Sequence, residues 1–319
     1  MTPSPVLLLG GTGTIGRATA RALRAAGHSV TALVRPGTAD EALPGCTLHR
    51  ADVTAPGAVA QALAASGARA VVSCLASRTG TPADARAIDH HAHSLALQAA
   101  VAAGVGHFVL LSAICVQKPR LAFQQAKLAF EAELQAAPLV WTIVRPTAFF
   151  KSLSGQVARV QAGHPFLVFG DGRGTACKPV SDADLGRFLA ACLSDPARHN
   201  RILPIGGPGP ALTPRDQAAM LERLTGAPVR VRQVPLALMD AIVAGLSVLG
   251  RLSPRLAAKA ELARIGRYYA TESMLVWNAA AGRYDADATP ETGTDRLEDH
   301  YAALLRGEAA DDRGAHAVF

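Results

Sequence analysis

The sequence predicts an α/β chain whose main body is a doubly wound parallel sheet, followed by a smaller, mostly helical C-terminal part. Three observations carry that expectation. Short apolar runs alternate with longer Ala- and Leu-rich segments through residues 1–150, the rhythm of repeated strand–helix units. The first run ends in a glycine cluster that opens a helical segment. Of the 319 residues, 50% are hydrophobic, enough for a large core.

The elements follow in order. Val6-Leu7-Leu8-Leu9 is a run of the buried-strand kind, ended by Gly10-Gly11. A helix runs from about Thr14 to Ala26, with Gly27 as its stop. Ser29 to Val34, Cys46 to Arg50 and Ala70 to Ser73 read as three further strands, and Thr54 caps a short Ala-rich helix between the last two. Ala83 to Ala103 is a long helix, His107 to Leu111 a strand, Ala122 to Ala136 a helix and Trp141 to Val144 a strand. Past Arg145 the rhythm loosens. Phe166 to Phe169 and Ala176 to Val180 flank a Gly-Asp-Gly turn, Ser181 caps a helix, Arg201 to Ile205 is a strand, and Thr213-Pro214 opens a helix. Val229 to Val234 is the last strand expected, before a mostly helical stretch and a polar tail after Arg306. The expected division is 1–150 for a nucleotide-binding domain, 151–306 for a substrate-binding part whose strands rejoin the main sheet, and 307–319 for the tail.

Charge and cysteine usage exclude several classes. The 32 basic and 25 acidic residues give +7, scattered without a Lys/Arg block, which speaks against nucleic acid and suits an anionic small molecule. The 5 cysteines, Cys46, Cys74, Cys115, Cys177 and Cys192, are widely spaced and form no CxxC, so free thiols in a reducing compartment are expected. No secretory leader is read at the N-terminus, and a bacterial cytoplasmic setting is the expectation. The apolar stretch Leu236 to Leu252 contains Asp240 and Arg251 and is short for a membrane span. It reads as a buried helix of the second part, with peripheral membrane contact or a cover over a hydrophobic substrate as alternatives.

Gly10-Gly11-Thr12-Gly13-Thr14-Ile15-Gly16 carries the first chemical signal. Gly11, Gly13 and Gly16 make G-x-G-x-x-G between a strand and a helix, the context of the Rossmann dinucleotide fingerprint. The spacing gives a tight turn, a close backbone approach to pyrophosphate at Gly13, and helix packing at Gly16. The second strand ends in Leu33-Val34-Arg35 rather than in the acid that would hold a ribose 2′-hydroxyl. Arg35, together with Arg17, suits a 2′-phosphate, so NADPH is the expected cofactor. Asp52-Val53 suits adenine contact, the other reading of Asp52 being part of a helix start.

These glycines, Asp52-Val53 and a serine closing the fifth strand resemble the short-chain dehydrogenase/reductase superfamily. That resemblance implies a Ser and a Tyr-x-x-x-Lys acting on a carbonyl. Ser112 and Lys127 stand in place, but the tyrosine position is Phe123. The likeness narrows at Leu111-Ser112-Ala113-Ile114-Cys115-Val116-Gln117-Lys118-Pro119, Phe123-Gln124-Gln125-Ala126-Lys127 and Val144-Arg145-Pro146-Thr147-Ala148-Phe149-Phe150-Lys151-Ser152-Leu153. Phe169-Gly170-Asp171-Gly172, Cys177-Lys178-Pro179, Leu203-Pro204-Ile205-Gly206-Gly207-Pro208-Gly209 and Tyr268-Tyr269-Ala270-Thr271-Glu272-Ser273-Met274 extend it along the chain. In these segments the chain resembles the divinyl chlorophyllide a 8-vinyl reductase family, an atypical branch of the superfamily.

The resemblance implies NADPH-dependent reduction of the C8 vinyl group of divinyl chlorophyllide or protochlorophyllide to ethyl. It implies that Lys127 holds the nicotinamide ribose and that Ser112 belongs to the catalytic centre. A surface lysine and a strand-end hydroxyl are the plain alternatives. Vinyl reduction forms no oxyanion, which accounts for Phe123. Lys127, Cys115 and the Tyr268/Tyr269 pair are candidate proton sources, and Phe149 and Phe150 either line a flat tetrapyrrole pocket or are core aromatics. Another tyrosine-less carbon–carbon reductase of the isoflavone-reductase-like kind, or a non-catalytic NADP-binding sensor or assembly factor, are the competing readings. His90, His91 and His93 lack a carboxylate or cysteine at ligand spacing and read as a solvated helix face rather than a metal site.

Overall fold

The computed structural model describes residues 4–309. In chain order the first half holds β1 (Val6–Leu9), α1 (Thr14–Ala25), β2 (Val30–Val34), β3 (Thr47–Arg50), α2 (Ala58–Ser66), β4 (Ala70–Ser73), α3 (Pro82–Asp84), a π-helical segment (Ala85–Ala92), α4 (His93–Ala102), β5 (His107–Leu111), α5 (Ala122–Ala136) and β6 (Val140–Pro146). Then come α6 (Phe150–Leu153), α7 (Gly155–Gln161), β7 (Phe166–Phe169), α8 (Asp182–Ala191), β8 (Arg201–Ile205), α9 (Pro214–Thr225), β9 (Val231–Val234), α10 (Leu236–Leu249), α11 (Pro254–Tyr269), β10 (Val276–Asn278), β11 (Arg283–Asp285) and α12 (Leu297–Leu305).

Two compact units divide the chain. The first comprises residues up to 77, 82–146 and 182–205. Its seven strands pair in parallel in the order β3-β2-β1-β4-β5-β6-β8. Helices cover both faces of such a sheet, so its strands must be apolar throughout rather than alternating. That is the pattern of β1, whose Val6, Leu7, Leu8 and Leu9 are all fully buried. Leu7, Val71, Phe108 and Ile143 from four neighbouring strands share one core with Phe130 and Leu134 of α5. The strand order reverses between β1 and β4, the switch point at which open parallel sheets bind ligands. β8 enters this sheet beside β6, with Val144 opposite Leu203, so residues 182–205 belong to the first unit.

The second unit comprises 78–81, 147–181 and the residues from 206 onward. β7 and β9 pair in parallel, and β10 and β11 form an antiparallel hairpin. Its core gathers Phe150, Val157, Phe166, Val168, Leu221, Leu297 and Tyr301.

Several expectations are corrected. Residues 176–180 form no strand: Cys177 makes single bridges to Leu212 and Met274, and Val180 one to Phe149. Thr54 does not cap a helix. It donates from its backbone and its hydroxyl to Asp52, and α2 starts later, after Gly57. Val231–Val234 is not the last strand, because the β10–β11 hairpin comes after α10 and α11. The long helix expected from Ala83 to Ala103 is interrupted by the π-helical segment. None of the residues of α10 is buried, so the apolar stretch is not a core helix. Most of the tail expected at 307–319, from residue 310 onward, lies outside the described residues. Among the described residues no helix is long and apolar enough to cross a membrane.

Candidate cofactor and active site

Because β1 to β5 are parallel, the residues that follow them gather along one edge of the sheet. Gly10 follows β1, Arg35 follows β2 and Ser112 follows β5. At the first crossover Gly10 takes φ 72°, and a Cβ there would lie 2.6 Å from the Cys74 carbonyl carbon. A Cβ on Gly16 would lie 2.1 Å from the Gly10 oxygen, so α1 could not pack down on the strand. Gly13 differs from both. Its backbone, φ −71° and ψ 165°, suits any residue, and the nearest atom to a Cβ would be 3.6 Å away. Nothing among the described residues demands a glycine at 13, but a ligand drawn against the backbone would. No side chain caps α1 and its first turn holds no acid, which keeps the helix N-terminus suited to an anion. Arg17 reaches back to the Thr12 carbonyl at 3.0 Å and fixes the loop from the helix side.

Arg35 is exposed at the end of β2. The nearest following acid, Asp40, is already paired with Arg50 at the end of β3, whose guanidinium also holds the Thr38 carbonyl at 3.1 Å. Sequence reading missed Arg50; its register opposite Val34 is set by the parallel pairing of β2 with β3. Asp52 accepts from the Thr54 amide at 2.9 Å and its hydroxyl at 2.7 Å, and these bonds lower its pKa. Val53 packs on the core of the first unit. This glycine loop, open helix terminus and cationic strand end fit a nicotinamide dinucleotide: Gly10 to Gly16 would take its pyrophosphate, and Arg35 the substituent on its adenine ribose.

The second cluster sits around α5. Gln124, Lys127, Glu131 and Leu134 are buried along one helical stripe, so three polar side chains face inward where apolar ones would be routine. Gln124 accepts from the Arg120 and Leu121 amides at 2.8 and 2.9 Å and donates to the Cys115 carbonyl at 3.1 Å, which fixes the loop after β5. Lys127 Nζ lies 3.0 Å from Oδ1 of Asp89, whose side chain is 0% exposed. Asp89 Oδ1 also takes the Ser77 amide at 3.2 Å, while its Oδ2 is buried with no hydrogen-bond partner. An ammonium carries three donors. Asp89 takes one of them, which leaves Lys127 able to serve a ligand as well as the fold.

His93 lies beside this pair. It is 1% exposed and stacks on Phe130 with ring centroids 4.7 Å apart, which overturns the solvated reading for this histidine. Its Nδ1 sits 2.9 Å from the Ile88 carbonyl, which can only accept, so Nδ1 carries the proton and Nε2 accepts from the Ser73 hydroxyl at 2.8 Å. Burial first, and then the Lys127 cation, push its pKa down to about 4. His90 instead pairs with Glu133 at 2.6 Å. Among the described residues no His, Cys, Asp and Glu group could hold a metal.

Ser112 donates its hydroxyl proton to Glu131 at 2.5 Å, and Glu131 is also held by Arg145 from β6. A proton given to a carboxylate is not available to a developing anion. In this arrangement Ser112 links the end of β5 to α5. Phe123, half-buried, offers no proton either. Cys115 is buried just beyond Ser112. In the second unit, Tyr268 is buried, and its ring meets Tyr269 edge-on at 5.5 Å. Phe150 packs in the core of that unit with its ring 5.4 Å from His300, the core-aromatic alternative of the two expected for it, while Phe149 stays half-buried.

Comparison with known proteins gives a consistent picture. The family described as NAD(P)H-binding matches residues 10–196. Divinyl chlorophyllide a 8-vinyl-reductase, chloroplastic, of Oryza sativa subsp. indica is 46% identical over 98% of this chain and 82% of its own length. The protein of the same name from Zea mays is 45% identical over the same shares, 98% and 82%. Among solved structures, the leucoanthocyanidin reductase–NADPH complex of Vitis vinifera superposes with a TM-score of 0.70 at 17% identity, over 95% of this chain and 99% of that one, which speaks to the fold.

Proposed function

This chain belongs to the divinyl chlorophyllide a 8-vinyl-reductase family, an NAD(P)H-binding oxidoreductase of chlorophyll biosynthesis, and from that premise we propose that it reduces the C8 vinyl group of divinyl chlorophyllide or its protochlorophyllide counterpart with NADPH. The observation that carries the reading beyond family likeness is that neither the serine nor the tyrosine position offers a proton to a carbonyl oxygen. Phe123 occupies the tyrosine position, and the Ser112 proton is committed to Glu131.

NADPH, when bound, would supply a hydride to the vinyl group, and the second hydrogen would reach the resulting carbanion as a proton from water or a weak acid. The residues of the chain do the rest. Gly10 to Gly16 and the N-terminus of α1 bind the pyrophosphate, and Arg35, with Arg17 nearby, favours a phosphorylated ribose. Lys127, held in place by Asp89, binds the nicotinamide ribose. Glu131, bridging Ser112 and Arg145, sets the distance between β5, β6 and α5 and so shapes the floor of the site. Negative charge arising at a vinyl carbon spreads into the conjugated macrocycle, so an apolar Phe123 face against that ring is compatible with the chemistry while a localised oxyanion would be unsupported.

The test is direct. Purified protein with NADPH is incubated separately with divinyl pigment and with simple ketones, and products are separated by chromatography. Vinyl reduction without ketone reduction is expected, and Phe123→Tyr should not raise the vinyl rate, because no oxyanion forms for the new hydroxyl to protonate. Ketone reduction with unchanged divinyl pigment would refute the assignment.

A further inference from the structure

Helices normally bury their apolar side and show a polar one to water. α10 does not. Toward α11 it turns Asp240, which binds Arg267 at 2.6 Å, and Ser247, which takes Arg264 at 2.7 Å. On the other side, Leu238, Ile242, Gly245, Leu249 and Leu252 recur at spacings of four, three, four and three, the repeat of one helical face continued into the turn. Leu238 is 52% exposed, Ile242 46%, Leu249 48% and Leu252 84%, with Val248 beside them at 61%. Such a continuous exposed apolar stripe marks a surface that meets something apolar.

The charges around the stripe identify what it meets. Arg251 lies in the turn, and Arg255 and Lys259 follow on α11 in helical register with the exposed Leu262. All three cations are exposed. The only acids between residues 236 and 262 are Asp240 and Glu261, and each is already paired, with Arg267 and Arg264. The patch is therefore apolar and purely cationic. A second copy meeting it face to face would bring cations to cations with no carboxylate to receive them. A bilayer with anionic headgroups supplies both an apolar layer for the leucines and phosphates for the cations.

We propose that the α10–α11 hairpin is a peripheral docking surface for an anionic lipid membrane, inserting the Leu238–Leu252 stripe with Arg251, Arg255 and Lys259 at the headgroups. This attachment is separate from cofactor binding and does not depend on the reductase reading.

The experiment is co-sedimentation of the full chain with vesicles of phosphatidylcholine alone and of phosphatidylcholine with phosphatidylglycerol, alongside its elution volume without lipid. Partition onto the anionic vesicles should exceed that onto neutral ones by about tenfold or more, and fall as salt is raised. Arg251→Gln, Arg255→Gln and Lys259→Gln should each lower it by roughly fivefold. Leu249→Glu with Leu252→Glu should abolish it while the thermal melt stays that of the wild type, because both leucines face solvent in the free protein. Equal partition onto both vesicle types, or none onto either, overturns the proposal. So does a dimer in solution that Leu249→Glu with Leu252→Glu splits, without vesicle binding by the wild type: the stripe would then belong to a second copy.

Discussion

Replacing Lys127 with methionine keeps most of the unbranched stem, one atom shorter, and removes the ammonium with its charge and its donors. The partner it leaves behind is severe: Asp89, with a side chain 0% exposed, one oxygen on the Ser77 amide and the other without a hydrogen bond. Stripping one member from a buried ion pair costs about 3–5 kcal/mol, because an uncompensated charge remains. Asp89→Asn leaves the Lys127 cation, which is 9% exposed and can find some water, so about 1–3 kcal/mol is expected. If the two groups act as a unit, the double variant removes both charges and should sit within about 2 kcal/mol of the wild type, a coupling of at least about 2 kcal/mol. Urea denaturation of the four proteins measures this, and a dissociation constant for NADPH is taken on each. The folded double variant should still bind NADPH weakly and turn over poorly, since the ribose contact is gone although the fold is restored. A double variant as unstable as the sum of the singles would refute the ion pair as a unit. One that is stable and binds and turns over like the wild type would reduce Lys127 to a structural residue.

Further outcomes follow from other parts of the first unit. Gly13→Ala should fold normally yet weaken NADPH binding, whereas Gly16→Ala, whose Cβ would meet the Gly10 oxygen at 2.1 Å, should lower the melting temperature; equal destabilisation by both would remove the argument for a ligand at Gly13. Arg35→Asp should erase a preference for NADPH over NADH worth about 1.5–3 kcal/mol, read from the two dissociation constants, and a wild type that binds both equally would count against Arg35. Stability should also fall in acid. His93 and His107, the latter buried with Nε2 on Thr142 at 3.0 Å, are held near 4 in the fold against 6.5 when free. The unfolded chain therefore binds more protons between these values, and stability present above about 6.5 is lost as pH falls toward 4, by roughly 3 kcal/mol for His93. Denaturation midpoints that stay flat across that window would contradict the buried neutral state of His93.

The parts of this architecture written in local pattern were legible. The run Val6 to Leu9, the glycines after it and the helix from Thr14 are contiguous, and α5 coincides with the expected Ala122 to Ala136. The residues that complete the site were not, because each depends on a partner distant in sequence. Asp89 meets Lys127 only after the sheet brings the π-helical segment beside α5, and Glu131 meets Ser112 and Arg145 only once β5 and β6 are paired. A trace of them was visible: Ala85, Asp89, Ala92 and Ala96 fall on one helical face, so an acid sits on an otherwise apolar stripe. For α10 the apolar composition was clear, but hydropathy does not say whether protein or lipid is to cover it.

The π-helical segment Ala85–Ala92 ties the site to the length of the chain as well as to its letters. A π turn carries a residue more than an α turn can, closing its bonds from i to i+5. Deleting one residue there would let the backbone relax into a continuous α-helix, in which each residue advances about 100° around the axis rather than the smaller angle of a π turn, and so would change the direction of Asp89 relative to α4. Asp89 would then turn away from Lys127, although neither residue had changed. Sequences that drift at residues 85–92 while keeping Asp89 are free to exchange the other side chains but not to lose a position, so an insertion–deletion count over this short stretch separates chains that keep the Asp89–Lys127 pair from chains that have abandoned it.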